Sequence, residues 1–131
     1  MVHHLNRIRS YRDLKVWQKA HELVLEIYKV TEQLPSHEKY GLISQIRRSS
    51  VSVPLNIVEG RSRNSTKEYI NFLYISRASC DELHYLLLLC KDLNYINIEV
   101  FEKLTVHSEE ILKMLNGLIR SLKKQELNPN H

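Results

Sequence analysis

Gln45-Ile46-Arg47-Arg48-Ser49-Ser50-Val51-Ser52-Val53-Pro54-Leu55-Asn56-Ile57-Val58-Glu59-Gly60-Arg61 is the stretch on which the fold turns. Leu42, Ile46, Ser49, Val53 and Ile57 step by three and four, the period of one helix face. Val51, Leu55 and Val58 form a second stripe on the same segment. A helix over about 37–62 that is apolar around so much of its circumference must lie centrally or face two partners. Yet two arginines, three serines, a proline and a glutamate sit among those positions. Serine disfavours helix interiors and proline breaks them, so stability alone did not choose these residues. Pro54 cannot donate to the carbonyl of Ser50, and a bend is expected there.

Working outward, the same period recurs three times. Leu14, Trp17, His21, Val24, Tyr28 and Thr31 mark a first helix from about Asp13 to Leu34, widened by Ala20 and Ile27 and capped by Ser10 or Asp13. Pro35-Ser36 ends it and starts the next, with Ser36 as cap. Ser65 and Glu68 form a capping box for a third helix that runs to about Leu93. Its seam is Phe72, Ser76, Ser79, Leu83, Leu86, Cys90 and Leu93, flanked by Tyr69, Leu73, Cys80 and Leu87. After a turn at 94–97, Asn97 caps a fourth helix with Phe101, Leu104, Ser108, Ile111, Leu115, Leu118 and Leu122 on one face. Short loops put neighbouring helices antiparallel, which predicts an all-α, up-down-up-down four-helix bundle. The expected organisation is a basic arm over 1–12, the bundle over 13–124 and a frayed tail over 125–131.

Composition agrees with a helical domain: the 131 residues include only three glycines and three prolines. No apolar run approaches the ~20 residues of a membrane span. The basic N-terminus lacks a following apolar region, so a secretion signal is not expected. Cys80 and Cys90 lie about 15 Å apart by helical rise and cannot pair with each other. They read as buried free thiols of a cytoplasmic protein.

The net charge of +4 is unevenly spread. Residues 1–19 and 44–67 each carry five basic and one acidic side chain, and the rest of the chain is acidic on balance. Two basic segments on a mildly acidic body point to a polyanion. Arginine forks bond phosphate oxygens in pairs and keep their charge, so Arg47, Arg48, Arg61, Arg63 and Lys67 are the expected nucleic-acid contacts. Arg47 and Arg61 share a helix face about 21 Å apart, a spacing for separate phosphates.

Neither a metal-ligand spacing nor a Gly-rich phosphate loop occurs, so no metal, cofactor or catalytic residue is assigned. Arg77 and His84, on one face of the third helix, resemble the arginine–histidine pair of HEPN-type ribonucleases, in which histidine moves a proton and arginine steadies phosphate. The usual polar residue after the arginine is Ala78 here, and coincidence is the preferred reading. Asn56, Glu59, Ser79 and Glu82 read as structural polar residues. Glu59 is expected to neutralise Arg48 or Arg77, because a buried lone carboxylate is very costly.

Four segments carry a family resemblance. They are Asp13-Leu14-x-Val16-Trp17-Gln18-Lys19-Ala20, Tyr40-Gly41-Leu42-x-x-Gln45-Ile46-Arg47-Arg48-Ser49, Ser52-x-Pro54-x-Asn56-Ile57-x-Glu59-Gly60 and Phe72-Leu73-x-Ile75-x-x-x-Ser79-x-x-Glu82-Leu83. Over about residues 10–122 the chain resembles the four-helix-bundle family known from intervening sequences in 23S rRNA genes. That family is similar in turn to the accessory variability proteins of diversity-generating retroelements, five-subunit basic barrels that bind nucleic acid and a reverse transcriptase. Val58 departs from the family's usual alanine, and Arg77-Ala78 from its glycine before the serine. The resemblance implies RNA binding, a homo-oligomer with five subunits favoured, and a protein partner such as a reverse transcriptase. A scaffold for protein interactions without nucleic acid is the alternative.

Overall fold

The computed structural model describes residues 10–127. Four helices fill it: α1 (Lys15–Thr31), α2 (Leu42–Arg61), α3 (Thr66–Asp92) and α4 (Ile98–Leu127). They pack in a closed cycle, α1 on α2, α2 on α3, α3 on α4 and α4 back on α1, with the α2–α3 contact the most extensive. Among the described residues the backbones of diagonal helices do not approach closely, which is the arrangement of a bundle around one core.

Local chemistry sets the helix ends. Ser10 Oγ accepts from the Arg12 N–H at 3.1 Å, and Asp13 accepts from the Ser10 N–H at 3.3 Å. This pair closes a 3-10 turn over Tyr11–Asp13 that leads into α1, which begins two residues later than expected. α1 also stops earlier, at Thr31, and the chain continues to Leu34 in a tighter turn. Ser36 opens a single 3-10 turn over Ser36–Glu38, and α2 starts only at Leu42. The Glu38 carboxylate accepts from the Leu42 N–H at 3.3 Å, satisfying an amide that the helix leaves open.

Ser65 and Asn97 cap α3 and α4, Ser65 through one arm of the expected capping box. Ser65 Oγ accepts from the Glu68 N–H at 3.1 Å and Asn97 Oδ1 from the Val100 N–H at 2.8 Å. α3 ends on Asn94, whose φ of 64° lies in the left-handed region. The Tyr95 N–H then reaches back to the Cys90 carbonyl at 2.8 Å and the Asn94 N–H to Lys91 at 3.0 Å, a Schellman closure. α4 extends through Gln125–Leu127, where a frayed tail was expected. Most of the basic arm and the end of the tail lie outside the described residues.

The first stripe of α2 is buried whole, with Leu42, Ile46, Ser49, Val53 and Ile57 all in the core. Leu83, Leu86, Leu87 and Cys90 of α3 meet Leu104, Ile111, Leu115 and Leu122 of α4 in the same cluster. α1 keeps Ala20, Ile27 and Thr31 of its expected face inside but is turned by about one residue from the centre of that face. It buries Val16, Ala20, Leu23, Ile27 and Thr31, and leaves His21 and Tyr28 exposed. Burial pushes the Cys80 thiol up to about 12 and the Cys90 thiol up to about 11, and both are free.

Small residues bring α2 and α3 close. The Ser52 and Ser79 hydroxyls lie 2.8 Å apart, Asn56 Nδ2 donates to Ser52 Oγ at 2.9 Å, and Ser76 Oγ donates to the Val53 carbonyl at 2.8 Å. α4 is tied to α1 by His107, whose Nδ1 bonds Glu26 at 2.6 Å and whose Nε2 bonds the Lys19 carbonyl at 3.0 Å. Among the described residues, no helix is long and apolar enough to cross a membrane.

Candidate nucleic-acid interface

The five basic residues singled out in the sequence fall into two groups at opposite ends of α2. Arg47 and Arg48 lie in its second turn. Arg61, Arg63 and Lys67 flank the turn into α3.

The two arginines of the first group do different things. Arg47 turns toward α1, where its Nε donates to Thr31 Oγ1 at 2.8 Å and its Nη2 to the Tyr28 carbonyl at 3.3 Å. Thr31 Oγ1 in turn donates to the Ile27 carbonyl at 2.7 Å. The guanidinium also sits 4.4 Å from the centre of the Tyr28 ring. Arg47 therefore closes the last turn of α1, where a cation is favoured by exposed carbonyls. Arg48 is exposed one position on. Both border a cleft of about 480 Å³ between the end of α1 and the start of α2, together with Tyr28, Lys39, Tyr40 and Ile43. Lys39 and the two tyrosines were not among the residues chosen from the sequence. The available signal was the Lys39-Tyr40 pair, a basic residue beside an aromatic just upstream of Arg47-Arg48.

At the other end, Arg63 pairs with Glu59 at 3.3 Å and lies 4.6 Å from the centre of the Phe72 ring. Glu59 is exposed, so its expected partnership with Arg48 or Arg77 gives way to the residue one helical turn ahead. Arg61 is half-buried beside Tyr69; burial raises the Tyr69 hydroxyl and the Arg61 charge opposes this. Lys67 is exposed in the first turn of α3, and Glu82, expected to be a buried structural group, is exposed as well.

Arg77 and His84 are drawn to different partners. Arg77 donates to Asn116 Oδ1 at 3.1 Å and lies over the Tyr74 ring, while His84 packs on Phe101. Among the described residues, no cluster of three histidine, cysteine or acidic side chains could hold a metal ion.

The family model of the 23S rRNA-intervening sequence protein matches residues 12–117. The chain belongs to that family. A crystal structure from the S23 ribosomal protein family of Bacteroides thetaiotaomicron, a protein of unknown function, is similar to it at 31% identity and a TM-score of 0.74. The match covers 79% of this chain and 97% of that one. No curated protein is detectably similar.

Proposed function

We propose that this member of the 23S rRNA-intervening sequence protein family is a non-enzymatic RNA-binding protein. In this reading it acts as a cytoplasmic homo-oligomer of antiparallel up-down-up-down bundles and holds structured RNA by its phosphate backbone. The observation that carries the reading is the cleft at the α1–α2 end, where Lys39, Arg47 and Arg48 meet two tyrosines. Arg48 and Lys39 supply charge for phosphate oxygens, and Arg47 shapes the wall. Arg61, Arg63 and Lys67 extend the basic track to the far end of α2. Backbone contacts of this kind give affinity and register with little base readout. The rRNA in the family's description supports the choice of RNA.

Self-association is supported by the second stripe of α2. Leu55 is 50% exposed and Ile75 on α3 is 47% exposed, with Val51 and Val58 half-buried on the same face of α2 as Leu55. Repetition of a modest basic patch around a ring would raise avidity without new contacts. The number five, and a protein partner such as a reverse transcriptase, rest on the resemblance to accessory variability proteins. The same stripe favours the second reading, a scaffold for protein interactions.

The test is filter binding of a structured rRNA fragment across a salt series. Arg48→Ala combined with Arg63→Ala should weaken binding and flatten the slope of log K against log salt by about one to two. Unchanged affinity and slope would favour the scaffold. Light scattering on the same samples should show more than the 15.5 kDa of one chain.

A further inference from the structure

We infer that the α1–α2 cleft accepts a single unpaired nucleotide, its base stacked on Tyr40 and its phosphates held by Arg48 and Lys39. The inference rests on the RNA-binding reading and deepens it by naming the kind of RNA the cleft takes.

Tyr40 is 89% exposed, the most exposed large apolar side chain among the described residues. It does nothing for the core. It is nevertheless presented by a braced segment. The Gly41 N–H donates to the Glu38 carbonyl at 3.0 Å, and the Glu38 carboxylate accepts from the Leu42 N–H at 3.3 Å and from the Tyr95 hydroxyl at 3.1 Å. The backbone that carries the ring is therefore held at the rim. Lys39 Nζ lies 5.5 Å from the ring centre, so one face carries a cation and the other is available.

The opposite wall is of another kind. The Tyr28 ring is already occupied by the Arg47 guanidinium, which Thr31 and the Tyr28 carbonyl hold in place. Tyr28 is thus a built surface, whereas Tyr40 is an open platform. Ile43 supplies an apolar lining between them. The cleft's volume of about 480 Å³ lies in the ~300–1,000 Å³ range that single small ligands fill.

Base pairing decides which RNA can use such a site. In a duplex the base faces are covered by their neighbours, and only sugars, phosphates and edges are offered. An unpaired base in a loop, bulge or end has a free π-face, and aromatic platforms take any base in this way. Basic side chains at the rim then meet the flanking phosphates.

The experiment compares two RNAs of equal length by fluorescence anisotropy: a single strand carrying 2-aminopurine at its centre and a fully paired duplex. Wild type should bind the single strand more tightly and quench the 2-aminopurine. Tyr40→Leu should weaken single-strand binding about 5- to 150-fold, abolish the quench and change duplex binding less than about twofold. Its salt slope should match wild type, because no charge is lost. Tyr40→Phe should retain the quench. Because Tyr40 is so exposed, both variants should melt as wild type does. Equal binding of the single strand by Tyr40→Leu and wild type would overturn the stacking site and leave RNA binding intact. Equal losses on both RNAs would overturn it too. A wild-type protein that binds neither RNA would overturn the RNA-binding reading and this site with it.

Discussion

Gly60 and Gly117 both lie within helices, and alanine should act on them with opposite signs. Alanine is favoured over glycine in a helix interior by about 1 kcal/mol; Gly117 lies in the interior of α4 and takes that gain, while Gly60, one residue from the end of α2, takes less of it. At Gly60 that gain meets a wall. A Cβ there would stand 2.8 Å from Phe72 Cβ, 3.0 Å from Tyr69 Cδ1 and 3.1 Å from the Tyr69 carbonyl oxygen. Phe72 Cβ and the Tyr69 carbonyl belong to the first turns of α3 and cannot swing aside as a side-chain tip would. Relief requires α2 and α3 to part along their closest approach. Overpacking of this kind costs about 1–3 kcal/mol, and two rigid contacts place it near the top of that range. The net expectation for Gly60→Ala is a loss of about 2 kcal/mol.

At Gly117 the nearest atom is the tip of Arg120, 3.9 Å away. Gly117→Ala should therefore keep most of the helix gain, about 0.5–1 kcal/mol. For a domain of this size, 1 kcal/mol moves the melting temperature by about 3–5 °C. Thermal denaturation followed by circular dichroism, at one fixed protomer concentration, should show Gly60→Ala melting about 6–10 °C lower and Gly117→Ala about 2–4 °C higher. A Gly60→Ala protein as stable as wild type would refute the close approach of α2 and α3 at that point. Because Arg63 lies on Phe72, the same variant should also disturb the basic group at that end of α2.

Arg47→Ala should cost about 1–2 kcal/mol in urea unfolding, since it strips donors from the end of α1, while Arg48→Ala should stay within about 0.5 kcal/mol of wild type and lose RNA affinity instead. Equal effects of the two on stability would contradict the division of labour between them. Burial raises both thiols, so neither Cys80 nor Cys90 should react with a disulfide reagent at pH 8 until the protein unfolds. A raised folded pKa means that the thiols favour folding below the unfolded value of about 9, and this contribution is lost as pH climbs through about 11 and about 12. Urea midpoints should accordingly fall above pH 9, and fall less in Cys80→Ala. Pro54→Ala should alter oligomer size, read by light scattering, more than helix content; a change in melting temperature alone would make the proline a tolerated defect.

The fold was legible where large aliphatics recur at helical spacing. α2 buries its first predicted stripe, Leu42, Ile46, Val53 and Ile57 around Ser49, and α4 buries Leu104, Ile111, Leu115 and Leu122 of its predicted face, with Ile119 taking the place of Leu118. α1 was read correctly at Ala20, Ile27 and Thr31 but its face was centred one residue off, because it carries two overlapping stripes. Periodicity alone does not choose between a centre on Trp17, His21 and Tyr28 and one on Val16, Ala20, Leu23 and Ile27. Packing chose the second, which is small and aliphatic, and left Trp17 and Tyr28, with their polar atoms, at the margin. Glu59 went wrong for a related reason. Its neighbours Val58 and Leu55 look like core in sequence, yet their stripe is not covered within one chain, so a carboxylate beside them reaches solvent and Arg63. The cleft was the least legible feature. Tyr28 and Tyr40 are twelve residues apart on different elements, and only the packing of α1 on α2 brings them to one rim with Arg48. A count of charges finds the arginines but cannot separate Arg47, which is used to finish α1, from Arg48, which is left to face outward. That separation follows from Thr31: its hydroxyl, pointed at the end of its own helix, gives Arg47 a partner inside the protein and leaves Arg48 and Lys39 as the charges available to a ligand.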